Sequence, residues 1–147
     1  MTILDAYAVI AYLRAELAAV EVRDLLQSGD TTLTAVGVAE VLDHLIRTAG
    51  ADEEDAALDL AQLGLLEGMV VDSDLGLAAG RLRARRYHRT GCTVSMADCI
   101  AAEAARQTTT SLATSDPHLL DLCHLEAIST TVLTASNGTR WNLPSRP

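Results

Sequence analysis

The chain contains no lysine, and its 11 basic residues are all arginine. That absence excludes a phosphoacceptor receiver domain, which would need a lysine near its final strand. Glycine is missing from "LDAYAV" after the first apolar run, where a P-loop or a dinucleotide fold would need a glycine-rich turn. A second aspartate two residues beyond Asp5, which a haloacid-dehalogenase-type phosphatase would carry, is replaced by Tyr7. No C-x-x-C pair occurs among Cys92, Cys99 and Cys123. An odd count cannot close a complete disulfide framework, so these read as buried or idle thiols. His118, Cys123 and His124 lie close in sequence but match no usual zinc spacing. No basic stretch precedes the first apolar run, and Asp5 interrupts that run short of membrane-spanning length. The expectation is a soluble, cytoplasmic chain with no membrane partner.

A length of 147 residues with 49% hydrophobic content supports one compact core. A single domain over 1–147 is expected, with the tail 134–147 as turn and extended chain because of Asn137-Gly138 and its prolines. Short apolar runs near 2–4, 31–34, 68–71, 111–114 and 128–133 alternate with helical patterns over 6–18, 19–27, 36–49, 53–66, 74–88, 96–107 and 117–123. This order predicts an α/β fold of βαβ units, with a central, mainly parallel sheet covered by helices on both faces.

The net charge of −9 argues by its sum against a nucleic-acid partner. Its distribution argues otherwise, because Arg81, Arg83, Arg85, Arg86 and Arg89 crowd into "RLRARRYHR". Continued as one helix, that segment puts Arg81, Arg85, His88 and Arg89 on a single stripe able to meet successive phosphates. Offsetting the dipole of a helix's last turns explains the same arginines. The acidic run "ADEEDAALD" reads as the first turns of a helix and needs no ligand.

Acids recur where elements meet. Asp5 follows the first strand and suits an N-cap, and Asp116 precedes Pro117 at the start of a later helix. Ser95-Met96-Ala97-Asp98 has the [ST]-x-x-[DE] form of a capping box. Glu40 lies opposite the apolar stripe of Val38, Val41, Leu42, Leu45 and Ile46, a solvated position on its own. Capping or solvation explains each of them singly. Together, the parallel-sheet topology sends all four toward the carboxyl edge of the strands, where such folds bind ligands. Four converging carboxylates repel one another unless a cation intervenes, and oxygen ligands favour Mg²⁺ or Mn²⁺ over zinc.

"ILDAYAVIAYL", "AEVLDHL", "SMADCIAAEA" and "LATSDPHLL", in this order and spacing, resemble the PIN domain, specifically the VapC-type toxin ribonucleases of toxin–antitoxin pairs. The likeness spans about residues 2–133. It implies a three-layer PIN-like fold in which Asp5, Glu40, Asp98 and Asp116 hold Mg²⁺ or Mn²⁺. Thr114 supports the site from close by, and Ser95 caps the helix that carries Asp98. The resemblance further implies an endoribonuclease acting on tRNA or rRNA, inhibited by a small cognate antitoxin and homodimeric. A metal-supplied nucleophile would leave a 5′-phosphate. Arg81, Arg85 and Arg89 are the expected substrate contacts. Ala6 and Tyr7 follow Asp5 where the family carries a small hydroxyl or amide residue. That departure leaves open a degenerate PIN-like module that binds RNA or a partner without cutting. A PIN nuclease acting on DNA in repair is a third reading.

Overall fold

The computed structural model describes residues 1–145; positions 146 and 147 of the expected tail lie outside the described residues. Its elements are β1 (Thr2–Leu4), α1 (Ala6–Leu13), α2 (Ala19–Gln27), β2 (Thr31–Thr32), α3 (Ala35–Asp43), α4 (Glu53–Gln62), α5 (Ser73–Arg86), α6 (Met96–Thr108), β3 (Ser111–Thr114), α7 (Pro117–Leu125) and β4 (Thr130–Val132). The strands form one four-stranded sheet, ordered β2-β1-β3-β4, and every pairing is parallel. Strand pleating divides the core. Ile3 and Leu112 join the side chains of α5, α6 and α7 on one face, whereas Leu4 and Ala113 join those of α1, α2, α3 and α4 on the other. Three layers result, as an α/β chain with buried parallel strands requires.

The carboxyl ends of all strands share one edge. From β1 the chain moves to β2 on one side and later to β3 on the other, so the β1–β3 boundary is the topological switch point. Asp5 leaves β1 there, and Asp116 follows β3.

The expected strand at 68–71 is corrected to a single bridge, Thr34 with Met69. Thr34 turns away to cap α3, accepting the Gly37 N–H at 3.0 Å. Only one residue of partner chain is therefore left to pair with Met69. Gly68 also lies tight against α3, where an added Cβ would meet Val38 Cγ2 at 2.8 Å. The first helix ends at Leu13 rather than at residue 18. Ala15 takes a left-handed conformation, and the Glu16 N–H returns to the Ala11 carbonyl at 2.8 Å, closing a Schellman turn. Glycine normally marks that turn, and alanine gives no such signal. The helix expected at 36–49 is α-helical to Asp43 and then widens into a π-helical turn over His44–Thr48. After α7 and β4, the described tail holds turns and extended chain. Arg140 fastens it to Glu21 and to the Val132 carbonyl, and Trp141 Nε1 donates to Asp121 at 2.8 Å.

Candidate active site

Three of the four acids are held by the helix caps they form. Asp5 is the N-cap of α1, where its Oδ1 accepts the Tyr7 N–H at 3.3 Å. Asp116 is the N-cap of α7, and its Oδ1 accepts the His118 N–H at 2.8 Å. Asp98 completes a reciprocal capping box. The Ser95 N–H donates to Asp98 Oδ2 at 2.7 Å, and Ser95 Oγ accepts the Asp98 N–H at 3.0 Å. Glu40 lies half-buried on α3, and its carboxylate accepts no hydrogen bond among the described residues.

Thr114 ties two of these acids together. Its buried hydroxyl donates to Asp5 Oδ2 at 2.8 Å and accepts the Asp116 N–H at 3.1 Å. The amide occupies an oxygen lone pair, so the single hydroxyl proton is left for Asp5. β3 thus sets the position of both the first and the last acid.

Capping does not account for the electrostatics of Asp5. Only 7% exposed, it faces no arginine or histidine within ion-pair distance among the described residues. Burial, then repulsion from Asp98 and to a lesser degree from Glu40, raises its pKa to about 7, against the opposing hydrogen bonds from Thr114 and Tyr7. Keeping that carboxylate charged at neutral pH costs roughly 4 kcal/mol, whereas an N-cap contributes about 1 kcal/mol. The pKa of Glu40 is raised by burial and by Asp98. That of Asp98 is also raised, by burial first, against the two hydrogen bonds with Ser95 and with a further upward push from Asp116. The mutual repulsion places the four carboxylates in one field.

The donor set suits a hard divalent cation. Asp98 Oδ1, Asp116 Oδ2 and both Glu40 oxygens receive no protein donor among the described residues, and all four candidate ligands are carboxylates, the oxygen donors a hard cation takes. Among the described residues, no three His, Cys, Asp or Glu side chains close into a finished ligand cage. The capping box turns one Asp98 oxygen back onto its own helix.

The arginine stripe is corrected. α5 stops at Arg86, and Tyr87 is its extended C-cap. His88 and Arg89 leave the helix for a tight loop closed by the His88–Cys92 bridge. Arg83 bonds the Val94 carbonyl at 3.0 Å and lies over the Tyr87 ring. Arg85 forks onto Glu126, Nε at 3.1 Å and Nη2 at 2.9 Å. Arg81 and Arg89 are exposed and make no ion pair among the described residues. His118 Nδ1 lies 3.2 Å from the Gly91 carbonyl, pinning the Arg89 loop to the start of the helix that Asp116 caps.

A cleft of about 390 Å³ opens beside Asp5 and Asp116, and Tyr7, Arg14 and His44 share its wall. Neither Arg14 nor His44 stands out as a site residue in the sequence. With α1 read through residue 18, Arg14 falls inside a helix, and His44 is only the i+4 neighbour of Glu40.

The PIN domain family model matches residues 2–125. The chain belongs to the PIN domain family. PIN domains are generally nucleases, and they generally use divalent metal ions. In fold the chain is similar to the crystal structure of FitAcB from Neisseria gonorrhoeae, with a TM-score of 0.64 at 19% identity, covering 88% of this chain and 96% of that one. It is also similar to the structure of FitAB bound to the IR36 DNA fragment, with a TM-score of 0.68 at 19% identity, covering 89% and 94%. No curated protein matches it in sequence. Among the described residues of this PIN domain, no helix is long and apolar enough to cross a membrane.

Proposed function

We propose that this PIN domain is a metal-dependent endoribonuclease acting as the toxin of a toxin–antitoxin pair. The observation that carries the reading is Asp5: a buried carboxylate without a cationic partner, in the field of Asp98 and Glu40, at the switch point of a PIN fold. Asp5, Glu40, Asp98 and Asp116 would hold Mg²⁺ or Mn²⁺. The bound ion would supply an activated water and stabilise the leaving oxygen of a phosphodiester. Thr114 positions Asp5 and Asp116 relative to each other, and Ser95 fixes the rotamer of Asp98 through the capping box. Arg89, on the loop beside the Asp116 helix, and the exposed Arg81 are the substrate contacts this reading retains; Arg85 is committed to Glu126.

The likeness in fold to FitAcB and FitAB, with the resemblance to VapC-type toxins, supports a cognate antitoxin as the protein partner. A groove lined by Tyr12, Leu13, Ala15, Ala19, Val20 and Arg23, in which Val20 is exposed, supports a homodimer. The capping of Asp98 favours a second reading, a module that binds RNA without cutting it.

Incubation of wild type and Asp98→Asn with total RNA, with and without Mg²⁺ or Mn²⁺, separates the two. Cleavage by the metal-loaded wild type alone is expected. Equal cleavage by both proteins, or undiminished cutting in excess EDTA, would overturn the assignment.

A further inference from the structure

Tyr7, Ile10 and Ala11 on α1 and its C-cap Arg14, at i, i+3, i+4 and i+7, form one wall of the cleft that begins at Asp5. Ile10 and Ala11 are buried, so the wall is fixed by the core beneath it. Tyr7 behaves differently: its N–H caps onto Asp5 while the residue as a whole stands 63% exposed. His44, at the start of the π-helical turn, meets the Tyr7 ring edge-on, with centroids 6.2 Å apart and planes at 70°. Such an edge-to-face pair restrains an aromatic ring that would otherwise be free in solvent.

Arg14 reaches the same histidine, its Nη1 lying 3.4 Å from His44 Nε2. A guanidinium only donates, so in this contact the ring nitrogen is the acceptor. The Arg14 charge is therefore held in place without being neutralised, and among the described residues it forms no ion pair with a carboxylate. Arg47, on the neighbouring cleft that also holds Glu40, Tyr7 and His44, is by contrast forked onto Asp43. Arg14 is thus the uncommitted guanidinium in the acid cleft.

An exposed, braced aromatic face next to a free guanidinium is the pairing that grips single-stranded nucleic acid: a base stacks on the ring and a backbone phosphate meets the cation. We propose that Tyr7 and Arg14, braced by His44, form the nucleotide-gripping subsite of this PIN domain, with Tyr7 stacking an unpaired base and Arg14 binding a backbone phosphate. The inference rests on the nuclease reading above and names the substrate form as single-stranded RNA. Tyr7 then serves the substrate in a position where the family carries a small polar residue.

The test is fluorescence anisotropy with a short fluorescein-labelled single-stranded RNA of mixed sequence, in Mg²⁺, using Asp98→Asn as the non-cleaving parent. Tyr7→Ala, Tyr7→Phe, Arg14→Ala and Arg14→Lys are added to that parent. Both positions are exposed or on the cleft wall, and melting curves establish that each variant is folded. Tyr7→Ala is expected to weaken binding roughly tenfold, and Tyr7→Phe to retain it. Arg14→Ala should flatten the log K versus log salt slope by about 0.7, with Arg14→Lys restoring it. If Tyr7→Ala and Arg14→Ala bind with the parent's affinity and salt slope, the subsite is refuted while the parent's binding leaves the nuclease reading standing. If the parent itself does not bind and wild type does not cut, both fall together.

Discussion

The two ends of α6 hold carboxylates in opposite electrostatic states. At its start, Asp98 joins Asp5 and Glu40, and all three have pKa values pushed upward with no arginine paired to them among the described residues. Toward its other end, Glu126 at the end of α7 is gripped by Arg85 and Arg86 from α5 and by Arg106 from α6. Those guanidiniums, Arg85 foremost, hold its pKa far below the ordinary carboxylate range against the opposing effect of burial. Glu103 shares Arg106 at 3.2 Å. The chain therefore does neutralise carboxylates where it uses them to join helices. At the carboxyl edge of the sheet, by contrast, it buries or half-buries Asp5, Asp98 and Glu40 without an arginine partner among the described residues.

If that contrast is functional, amides should act oppositely at the two ends. The largest effect is expected on catalysis. Replacing Asp5, Asp98 or Asp116 by asparagine should lower metal-dependent RNA cleavage by roughly two to three orders of magnitude or more, the scale on which one preorganised charge contact acts. Glu126→Gln should cleave like wild type at a temperature where both are folded. A gel-based time course reads both.

Stability is the next contrast. Without metal, Asp5→Asn should raise the melting temperature at neutral pH by several degrees, and added Mg²⁺ should stabilise wild type but not the variant. The folded state keeps the Asp5 proton up to about pH 7, whereas the unfolded state loses it near the ordinary aspartate value of 3.8. Stability of the metal-free protein should consequently fall as pH rises through that window, and Asp5→Asn should flatten the decline. Thermal melts across pH test this directly.

Glu126→Gln should instead destabilise, by about 2 kcal/mol at pH 7, because it leaves the arginines facing one another. The sign with pH is also reversed. A depressed carboxylate contributes its full stability above the unfolded value near 4.5 and loses it as pH falls below that. The difference between Glu126→Gln and wild type should therefore shrink on acidification. Urea midpoints at neutral and acidic pH measure it.

The smallest effect concerns the surface arginines. Arg81→Ala with Arg89→Ala should flatten the salt slope of RNA binding by about 0.7 for each phosphate that is no longer engaged. Arg85→Ala should leave that slope alone and lower the melting temperature, since Arg85 serves Glu126.

These contrasts also mark what is legible in the sequence. Alternating apolar runs and helix caps are readable because capping is local: Asp5, Ser95 with Asp98, and Asp116 all sit where their neighbours require a cap. Their common location follows from parallel topology, which the alternation of strands and helices implies. Other features are not local. Glu126 is a solitary acid in "HLEAIS", and only the fold brings Arg85 and Arg86 to it across some forty residues. The end of α1 is hidden because Ala15 adopts the left-handed conformation without glycine to announce it. That early stop leaves Arg14 at the helix end, within reach of His44. The missing strand at 68–71 has a similar cause, since Thr34 is at once a strand-like residue and the cap that starts α3.

If Asp5, Glu40, Asp98 and Asp116 are unpaired because they hold a divalent cation, direct Mn²⁺ binding detects it without any RNA. In an electron paramagnetic resonance titration, the signal of free Mn²⁺ should disappear on adding wild type or Glu126→Gln, and should persist with Asp5→Asn or Asp98→Asn. Equal disappearance of the signal with wild type and both asparagine variants, or its full persistence with wild type, would mean that these carboxylates are not a divalent-cation site.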